Sequence, residues 1–256
     1  MEPMLATQQA GRVLVVTLAR PPVNALNDEL IARLDAVVDR AAADVDIAVL
    51  HLRSELTTFC AGADLALMHA CLASPEGTEA MVELVGRMQR LFARLESTPV
   101  VTVAEIGGAA LGGGLELALA CDLRAAAAEA RLGLPEAGLG LLPAAGGTQR
   151  LTRLCGPGIA KRLILGAEVV TGEEAERLRI VQWVRPRAQL AEWTRDLAAR
   201  IAALPTVALG AIKRCIAAAG DPARDGCADE IAETRKLYDN PETRRRIAEF
   251  LTPRAA

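Results

Sequence analysis

"AALGGGLELALACD", residues 109–122, places three glycines directly before an apolar segment of strong helix formers. A glycine turn that leads into a helix leaves backbone N–H groups exposed at the positive end of the helix dipole. Glycine also lets a ligand approach those groups closely, because it has no side chain. The lone acid of the segment, Glu116, must find hydrogen-bond donors, face water or take up a proton. The stretch therefore predicts either a tight structural turn or an anion site with an acid beside it.

A second glycine turn of the same kind lies in the segment CAGAD, residues 60–64. Asp64 can cap a helix that begins at Leu65. Two such turns could direct two amides at one oxygen atom, which is the arrangement of an oxyanion hole. A carboxylate close to that hole would be placed to move a proton beside a developing enolate. This interpretation requires the two turns to meet in the fold.

Glu136 is the second candidate acid, and it follows Pro135 in the segment LPEAG. Proline at the first helical position and an acid in the first turn are also ordinary features of a helix start. Taken alone, Glu136 is therefore interpreted as a structural residue. Its catalytic interpretation depends on whether it meets Glu116.

Other common catalytic patterns are missing from the sequence. The serines lack a GxSxG motif, and the glycine run matches neither GxGxxG nor a phosphate loop ending in GK[ST]. The histidines, His51 and His69, lie in a strand-like run and a helix-like run, and both are interpreted as structural. Without an HExxH motif or a Cys/His cluster, the sequence predicts no metal site. A serine triad, a dinucleotide site and an ATP site are likewise disfavoured.

Composition indicates a globular protein with a large core. The 256 residues are 52% apolar and 24% charged, and the formal net charge is −3. This charge disfavours nucleic acid and anionic membranes as partners. The six cysteines are scattered and are expected to be reduced. No signal peptide or membrane span is apparent, so the expected location is the cytoplasm.

Strands alternate with helices through the first part of the chain, as in residues 12–20, 24–43 and 47–54. This alternation predicts an α/β fold with a largely parallel sheet. Residues 70–77 are expected to form a loop. Residues 151–186 are expected to be mainly helical, and the pattern after Pro186 is helical to the end. The predicted organisation is a core over residues 1–190 and a helical region over residues 191–256.

Five segments in order resemble the crotonase (enoyl-CoA hydratase/isomerase) superfamily, and together they extend over almost the whole chain. They are RPPVNALN (20–27), FCAGADL (59–65), ALGGGLELALACDLR (110–124), LGLPEAGLGLLPAAGGTQRL (132–151) and AEFL (248–251). The resemblance implies a spiral of ββα units followed by C-terminal helices that assemble trimers, or hexamers built as pairs of trimers. It also implies a coenzyme A thioester as substrate, with coenzyme A as part of the substrate and no separate cofactor.

The resemblance assigns roles to particular residues of this chain. The amides of Ala63 and Gly113 would form the oxyanion hole, and Glu116 and Glu136 would be the two catalytic glutamates. Further substrate-binding positions implied by the family are Arg20, Ala25, Leu26, Ala61, Asp64, Leu65, Gly112 and Phe250. Ala66 stands where many relatives carry a lysine that contacts the coenzyme. The basic C-terminal tail of the family is replaced by RRIAEFLTPRAA, in which Arg254 is the basic residue near the end that could substitute.

Two acids favour hydration within this family, because isomerases generally work with one acid. The sequence therefore predicts an enoyl-CoA hydratase. The alternatives are an enoyl-CoA isomerase, a methylglutaconyl-CoA hydratase, a retro-aldol enzyme and a noncatalytic scaffold that binds acyl-CoA. The wall of the acyl site is expected in residues 71–78, as a mobile segment.

Overall fold

The structure is a computed structural model that describes residues 4–252. Its strands are β1 (Leu5–Ala10), β2 (Val13–Leu18), β3 (Val49–Ser54), β4 (Val101–Ile106), β5 (Ala110–Leu111), β6 (Leu123–Ala127), β7 (Arg131–Gly133), β8 (Val169–Thr171) and β9 (Trp183–Arg185). Its α-helices are α1 (Asp28–Ala43), α2 (Leu65–Cys71), α3 (Pro75–Ser97), α4 (Gly113–Leu119), α5 (Gly147–Leu165), α6 (Gly172–Arg177), α7 (Arg187–Ala202), α8 (Thr206–Ala218), α9 (Gly226–Asp239) and α10 (Pro241–Leu251). A 3₁₀ helix spans Pro135–Leu139.

The larger sheet has six strands in the order β1-β2-β3-β4-β6-β9. Strands β1 and β2 form an antiparallel hairpin, and every later neighbour pairs in parallel. A smaller sheet has the order β5-β7-β8, and bridges from Leu26 to Ala63 and from Cys60 to Ala110 continue the same kind of pairing. Successive turns of the chain thus add a strand to the large sheet and a short extended piece beside it. This arrangement confirms the predicted α/β spiral.

The two faces of the large sheet bury different side chains, because successive strand residues point to opposite faces. Leu50 and Leu52 of β3 belong to the main core, together with α1 and α3. Val49 of the same strand packs with Leu197 and Ala198 of α7. The division of the chain at residue 190 therefore falls inside a helix that covers the sheet. By packing, α7 belongs to the first part of the predicted organisation.

Helices α8, α9 and α10 complete the C-terminal region, in agreement with the helical pattern predicted after Pro186. They carry exposed apolar side chains that a subunit interface would cover, namely Val207, Ile212, Ile216, Ile231, Tyr238, Ile247, Phe250 and Leu251. Assembly through these helices stays a prediction. Within residues 4–252, no helix is by itself long and apolar enough to cross a membrane; α7 and α8 pass only as a pair, across a 101° bend.

Residues 70–77 were predicted to form a loop, and this prediction was wrong at both ends. Helix α2 continues to Cys71, and α3 begins at Pro75. Ser74 caps α3, since its hydroxyl accepts a hydrogen bond of 3.1 Å from the Gly77 amide. A serine cap followed by proline is itself a helix start signal. The strands β8 and β9 were missed within a segment that was predicted to be mainly helical.

Candidate active site

A cavity of about 270 Å³ lies where the glycine turns meet α4 and the 3₁₀ helix. Seven residues predicted from the sequence line it: Ala61, Ala63, Leu65, Gly112, Gly113, Glu116 and Glu136. A larger cavity, about 580 Å³, lies against α8 and is lined by none of these seven. The smaller cavity is therefore the candidate active site, because the groups that can do chemistry converge on it.

The two glycine turns are in direct contact. Gly62 has φ +93°, and a Cβ there would lie 2.8 Å from the Leu111 carbonyl oxygen and 3.0 Å from the Gly113 nitrogen. A Cβ on Gly114 would lie 2.0 Å from the Cys60 carbonyl oxygen. Glycine is required at both positions, because backbone packs against backbone without space for a side chain. The meeting of the two turns, which the sequence interpretation required, is thus present.

Each turn contributes one free amide to the cavity. The Gly62 carbonyl accepts a 2.8 Å hydrogen bond from the Leu26 amide, and the Asp64 amide donates to the Leu26 carbonyl at 3.2 Å. The amide of Ala63, which lies between them, consequently points away from Leu26. Gly113 is the first residue of α4, where amides have no partner within the helix. In the described part of the chain, neither amide donates to a protein acceptor.

Glu116 lies in the first turn of α4, beside the Gly113 amide, and is only 2% exposed. Its Oε1 accepts a 2.7 Å hydrogen bond from the amide of Gly147, the first residue of α5. Burial raises the pKa of Glu116 to about 7, because a charged carboxylate is costly away from water. The Gly147 hydrogen bond opposes this shift, whereas the nearby charge of Glu136 adds to it. An acid with a pKa near 7 can both accept and donate a proton at neutral pH.

Glu136 lies in the first turn of the 3₁₀ helix, behind Pro135. Its Oε1 is 2.9 Å from the point that a Cβ on Gly112 would occupy, so this acid packs onto the glycine run. Its Oε2 is buried and has no hydrogen-bond partner among residues 4–252. Burial raises the pKa of Glu136 as well. The helix-start residue of the sequence analysis thus carries a carboxylate that faces the cavity beside Glu116.

Five predicted substrate-binding residues do not line the cavity. Arg20 and Asp64 form a salt bridge of 2.7 Å, which lowers the pKa of Asp64, and Arg20 also donates to the Ala25 carbonyl. Leu26 packs behind Gly113, with its Cδ1 3.2 Å from the point where a Cβ would stand. These four residues support the turns of the site. Phe250 on α10 is 88% exposed and lines a separate groove with α8 and α9, while Arg254 lies outside the described residues.

Asp64 also caps α2 as predicted, because its Oδ1 accepts a 3.1 Å hydrogen bond from the Leu67 amide. His51 is buried in the large sheet, where its Nε2 lies 2.9 Å from Glu105 Oε2. This ion-pair geometry fits the structural role predicted for it. Across residues 4–252, no group of three or more His, Cys, Asp or Glu side chains is placed to hold a metal ion.

Two parts of the site were not predicted from the sequence. The first is Gly147, whose amide holds Glu116; the Gly146–Gly147 pair before a helix repeats the signal of the residue 112–114 run. The second is an apolar wall formed by Met68, Val85, Met88, Leu139, Leu141 and Leu142. This wall was expected in residues 71–78, and none of these residues lines the cavity. The structure builds it further along α3 and beyond the 3₁₀ helix.

Fold and site together define a protein of the crotonase fold. The chain belongs to the enoyl-CoA hydratase/isomerase family, whose model matches residues 8–249. It is 37% identical to the short-chain-enoyl-CoA hydratase of Clostridium acetobutylicum over 211 residues, an aligned region that covers 82% of this chain and 79% of that one. It is 35% identical to the 2,3-dehydroadipyl-CoA hydratase of Escherichia coli over 235 residues, and this alignment covers 91% of this chain and 88% of that one. An enoyl-CoA hydratase crystal structure from Bacillus anthracis superimposes with a TM-score of 0.91 at 30% identity, covering 97% and 96%.

Proposed function

We propose that the protein is an enoyl-CoA hydratase, which adds water across the 2,3 double bond of a 2-enoyl-CoA thioester. The observation that carries this proposal is the convergence of two acids, buried Glu116 and half-buried Glu136, and two free amides on one cavity. Its relatives with hydratase names, at 35% and 37% identity over most of both chains, support the same activity. The reaction needs no cofactor, because coenzyme A is part of the substrate.

In the proposed mechanism the thioester oxygen lies between the amides of Ala63 and Gly113. Water attacks the β-carbon and loses a proton to Glu116. Glu136 holds the same water and delivers its own proton to the α-carbon of the resulting enolate. One C–O and one C–H bond form as the double bond becomes single, and proton exchange between the acids resets the pair. One oxyanion donor typically lowers such a barrier by ~3 kcal/mol.

The pKa directions of the two acids support a pair that shares one proton. The pKa of Glu116 is raised to about 7, and burial raises that of Glu136 above its usual range. Two carboxylates in one buried site do not readily ionise together, so one of them holds a proton while the other is charged. Hydration needs this state, since one group must accept a proton from water and the other must supply one.

The wall of the cavity favours a hydrocarbon acyl group. Apolar side chains from three elements form this wall: Met68 of α2, Val85 and Met88 of α3, and Leu139, Leu141 and Leu142 in and after the 3₁₀ helix. A charged acyl end placed against them would lose its hydration without gaining a partner. We therefore propose crotonyl-CoA and longer unbranched 2-enoyl-CoAs as substrates, in preference to acyl groups that end in a second carboxylate.

The alternatives of the sequence analysis use the same amides with different acid chemistry. A retro-aldol step or a double-bond shift needs only one proton-transfer group near the substrate, and a scaffold that binds acyl-CoA needs none. The second acid in the cavity therefore favours hydration over these three. Methylglutaconyl-CoA hydration stays within the same chemistry and differs in the carboxylate on the acyl group, which the apolar wall disfavours.

The test is a spectrophotometric assay of crotonyl-CoA, 2-hexenoyl-CoA and 2,3-dehydroadipyl-CoA, which follows loss of the conjugated double bond. We expect hydration of the first two and a much lower kcat/KM for the third. Detection of 3-hydroxyacyl-CoA by mass spectrometry distinguishes water addition from isomerisation. A protein that binds crotonyl-CoA without converting it would contradict the proposal and favour the scaffold.

Assembly and location complete the proposal. The exposed apolar side chains of α8–α10 support a homotrimer, or a hexamer of two trimers, and sedimentation measures its mass. We also propose a cytoplasmic location, where the reducing environment would keep the six cysteines as free thiols.

A further inference from the structure

Arg150 is an arginine in the first turn of α5, and its side chain is only 9% exposed. Its Nε and Nη2 both donate to Glu96 Oε2, at 3.0 and 2.9 Å, which ties α5 to the end of α3. Its Nη1 donates to the Ala145 carbonyl at 3.1 Å. The guanidinium therefore bridges α3 and the segment that leads into α5.

The same guanidinium lies against Gly146, the glycine directly before α5. A Cβ on Gly146 would lie 2.2 Å from Arg150 Nη1, and Gly146 itself has φ +105°. The next residue, Gly147, donates its amide to Glu116 at 2.7 Å. Arg150 is thus in contact with Ala145 and Gly146, the two residues that precede Gly147. The amide of Gly147 in turn holds the candidate catalytic acid.

We propose that Arg150 is a positioning residue: it fixes the Ala145–Gly147 turn and, through the Gly147 amide, the orientation and protonation of Glu116. This inference rests on the proposed function, since it concerns the acid that accepts the proton from water. From the sequence, Arg150 had no predicted role, although it lies within the matching segment of residues 132–151.

Several groups around Glu116 set its protonation together. Burial and the charge of Glu136 favour the neutral acid, whereas the Gly147 and Ala145 amides and the charge of Arg150 favour the carboxylate. Arg150 therefore acts in one direction by two routes, because its charge stabilises the carboxylate and its contacts hold the donor turn. Removing it should raise the pKa of Glu116 by both routes.

The proposal predicts a shift in the pH profile as well as a loss of rate. In Arg150→Gln, the acid limb of kcat/KM for crotonyl-CoA should move to higher pH by ~0.5 unit or more, because Glu116 must ionise to act as base. The rate on the plateau should fall roughly 10-fold to 100-fold, as expected when a catalytic group is misplaced. Arg150→Lys keeps the charge without the forked contacts, so it should lose rate with a smaller shift of the limb.

The matched control is Glu96→Gln. It removes the ion pair on the outer side of Arg150, where Glu96 is about half exposed, and leaves an amide oxygen that accepts from the guanidinium. Its acid limb should stay within ~0.2 unit of the parent, because Glu96 is half exposed and its charge adds little beyond the hydrogen bond that the amide keeps. Circular dichroism and thermal unfolding establish that each variant is folded before its profile is compared.

An acid limb that is unchanged in both Arg150 variants, or that moves as far in Glu96→Gln as in Arg150→Gln, would overturn the proposal. A parent protein that hydrates no 2-enoyl-CoA would overturn the proposed function instead. The positioning role would then still be measured without substrate, by ¹³C NMR titration of the Glu116 carboxyl in the parent and in Arg150→Gln. Equal pKa values in that titration would count against Arg150.

Discussion

Gly62→Ala tests the contact between the two glycine turns, on which the candidate oxyanion hole depends. The added Cβ would lie 2.8 Å from the Leu111 carbonyl oxygen and 3.0 Å from the Gly113 nitrogen. Both neighbours are backbone atoms, so the turns must separate to accept the methyl group. The change therefore displaces the amides of Ala63 and Gly113 relative to each other while leaving Glu116 and Glu136 chemically intact.

The expected effect has two components. A non-glycine residue held at positive φ costs ~1–3 kcal/mol of folding free energy, and Gly62 has φ +93°. Displacing one oxyanion donor should raise the barrier by ~3 kcal/mol, which corresponds to a loss of roughly 10²-fold in kcat. The KM for crotonyl-CoA should change much less, because the hole acts mainly on the charge that develops in the transition state.

Gly11→Ala is the matched control, since Gly11 also has positive φ, +59°, but open space around the added carbon. It should lose the part of the stability that comes from positive φ and keep its kcat. Urea unfolding gives the stability of both variants, and steady-state hydration of crotonyl-CoA gives kcat. A Gly62→Ala enzyme with a kcat within about threefold of the parent would refute the reasoning, because the amides would then not need their observed spacing.

Three further predictions concern the acids and the packing of α4. Glu116→Gln and Glu136→Gln should each lower kcat by roughly 10²-fold or more while crotonyl-CoA still binds. Steady-state kinetics measures the rate and calorimetry measures the binding. Near-normal rates in both variants would refute the assigned roles. The raised pKa of Glu116 makes its burial favourable when it is protonated, so this contribution is full below pH 4.5 and is lost as pH rises through about 7. The free energy of unfolding should therefore fall by up to ~3 kcal/mol over that range, and urea titrations should show a flatter profile in Glu116→Gln; parallel profiles would argue against a raised pKa. Gly114→Ala should destabilise the fold by ~3 kcal/mol or more, because its Cβ would lie 2.0 Å from the Cys60 carbonyl oxygen. Its control, Gly158→Ala, lies in open space on α5 and should be nearly neutral or stabilising. Similar unfolding midpoints for the two variants would contradict this contact.

Local signals in the sequence were sufficient for most of the fold. The β-branched run of β2 ends before Pro21, and the apolar spacing of α1 follows Asn27, which caps the helix as its side chain accepts from the Leu30 amide. The strands β8 and β9 have only three residues each, and their pairing partners are distant in the chain. Strands this short carry too little periodicity to be distinguished from the flanking helices.

The candidate site was predicted in part, for the same physical reason. Glycine turns and isolated acids are visible in one dimension, so Ala63, Gly113, Glu116 and Glu136 could be proposed from their motifs. The contact of Gly147 with Glu116 links residues 31 positions apart and depends on how α5 enters the fold. The supporting role of Arg20 and Asp64 depends in the same way on a salt bridge across 44 positions. Tertiary geometry of this kind has no local signature.

The amide at residue 63 belongs to the main chain, and its direction is imposed by the bridge to Leu26. Nearly every amino acid carries that N–H group, so point mutations at this codon can alter size or polarity there without deleting the donor. Proline alone lacks it. Selection can thus vary the side chain at this position of the cavity wall, and the genetic code offers a single residue, proline, that would remove the donor outright.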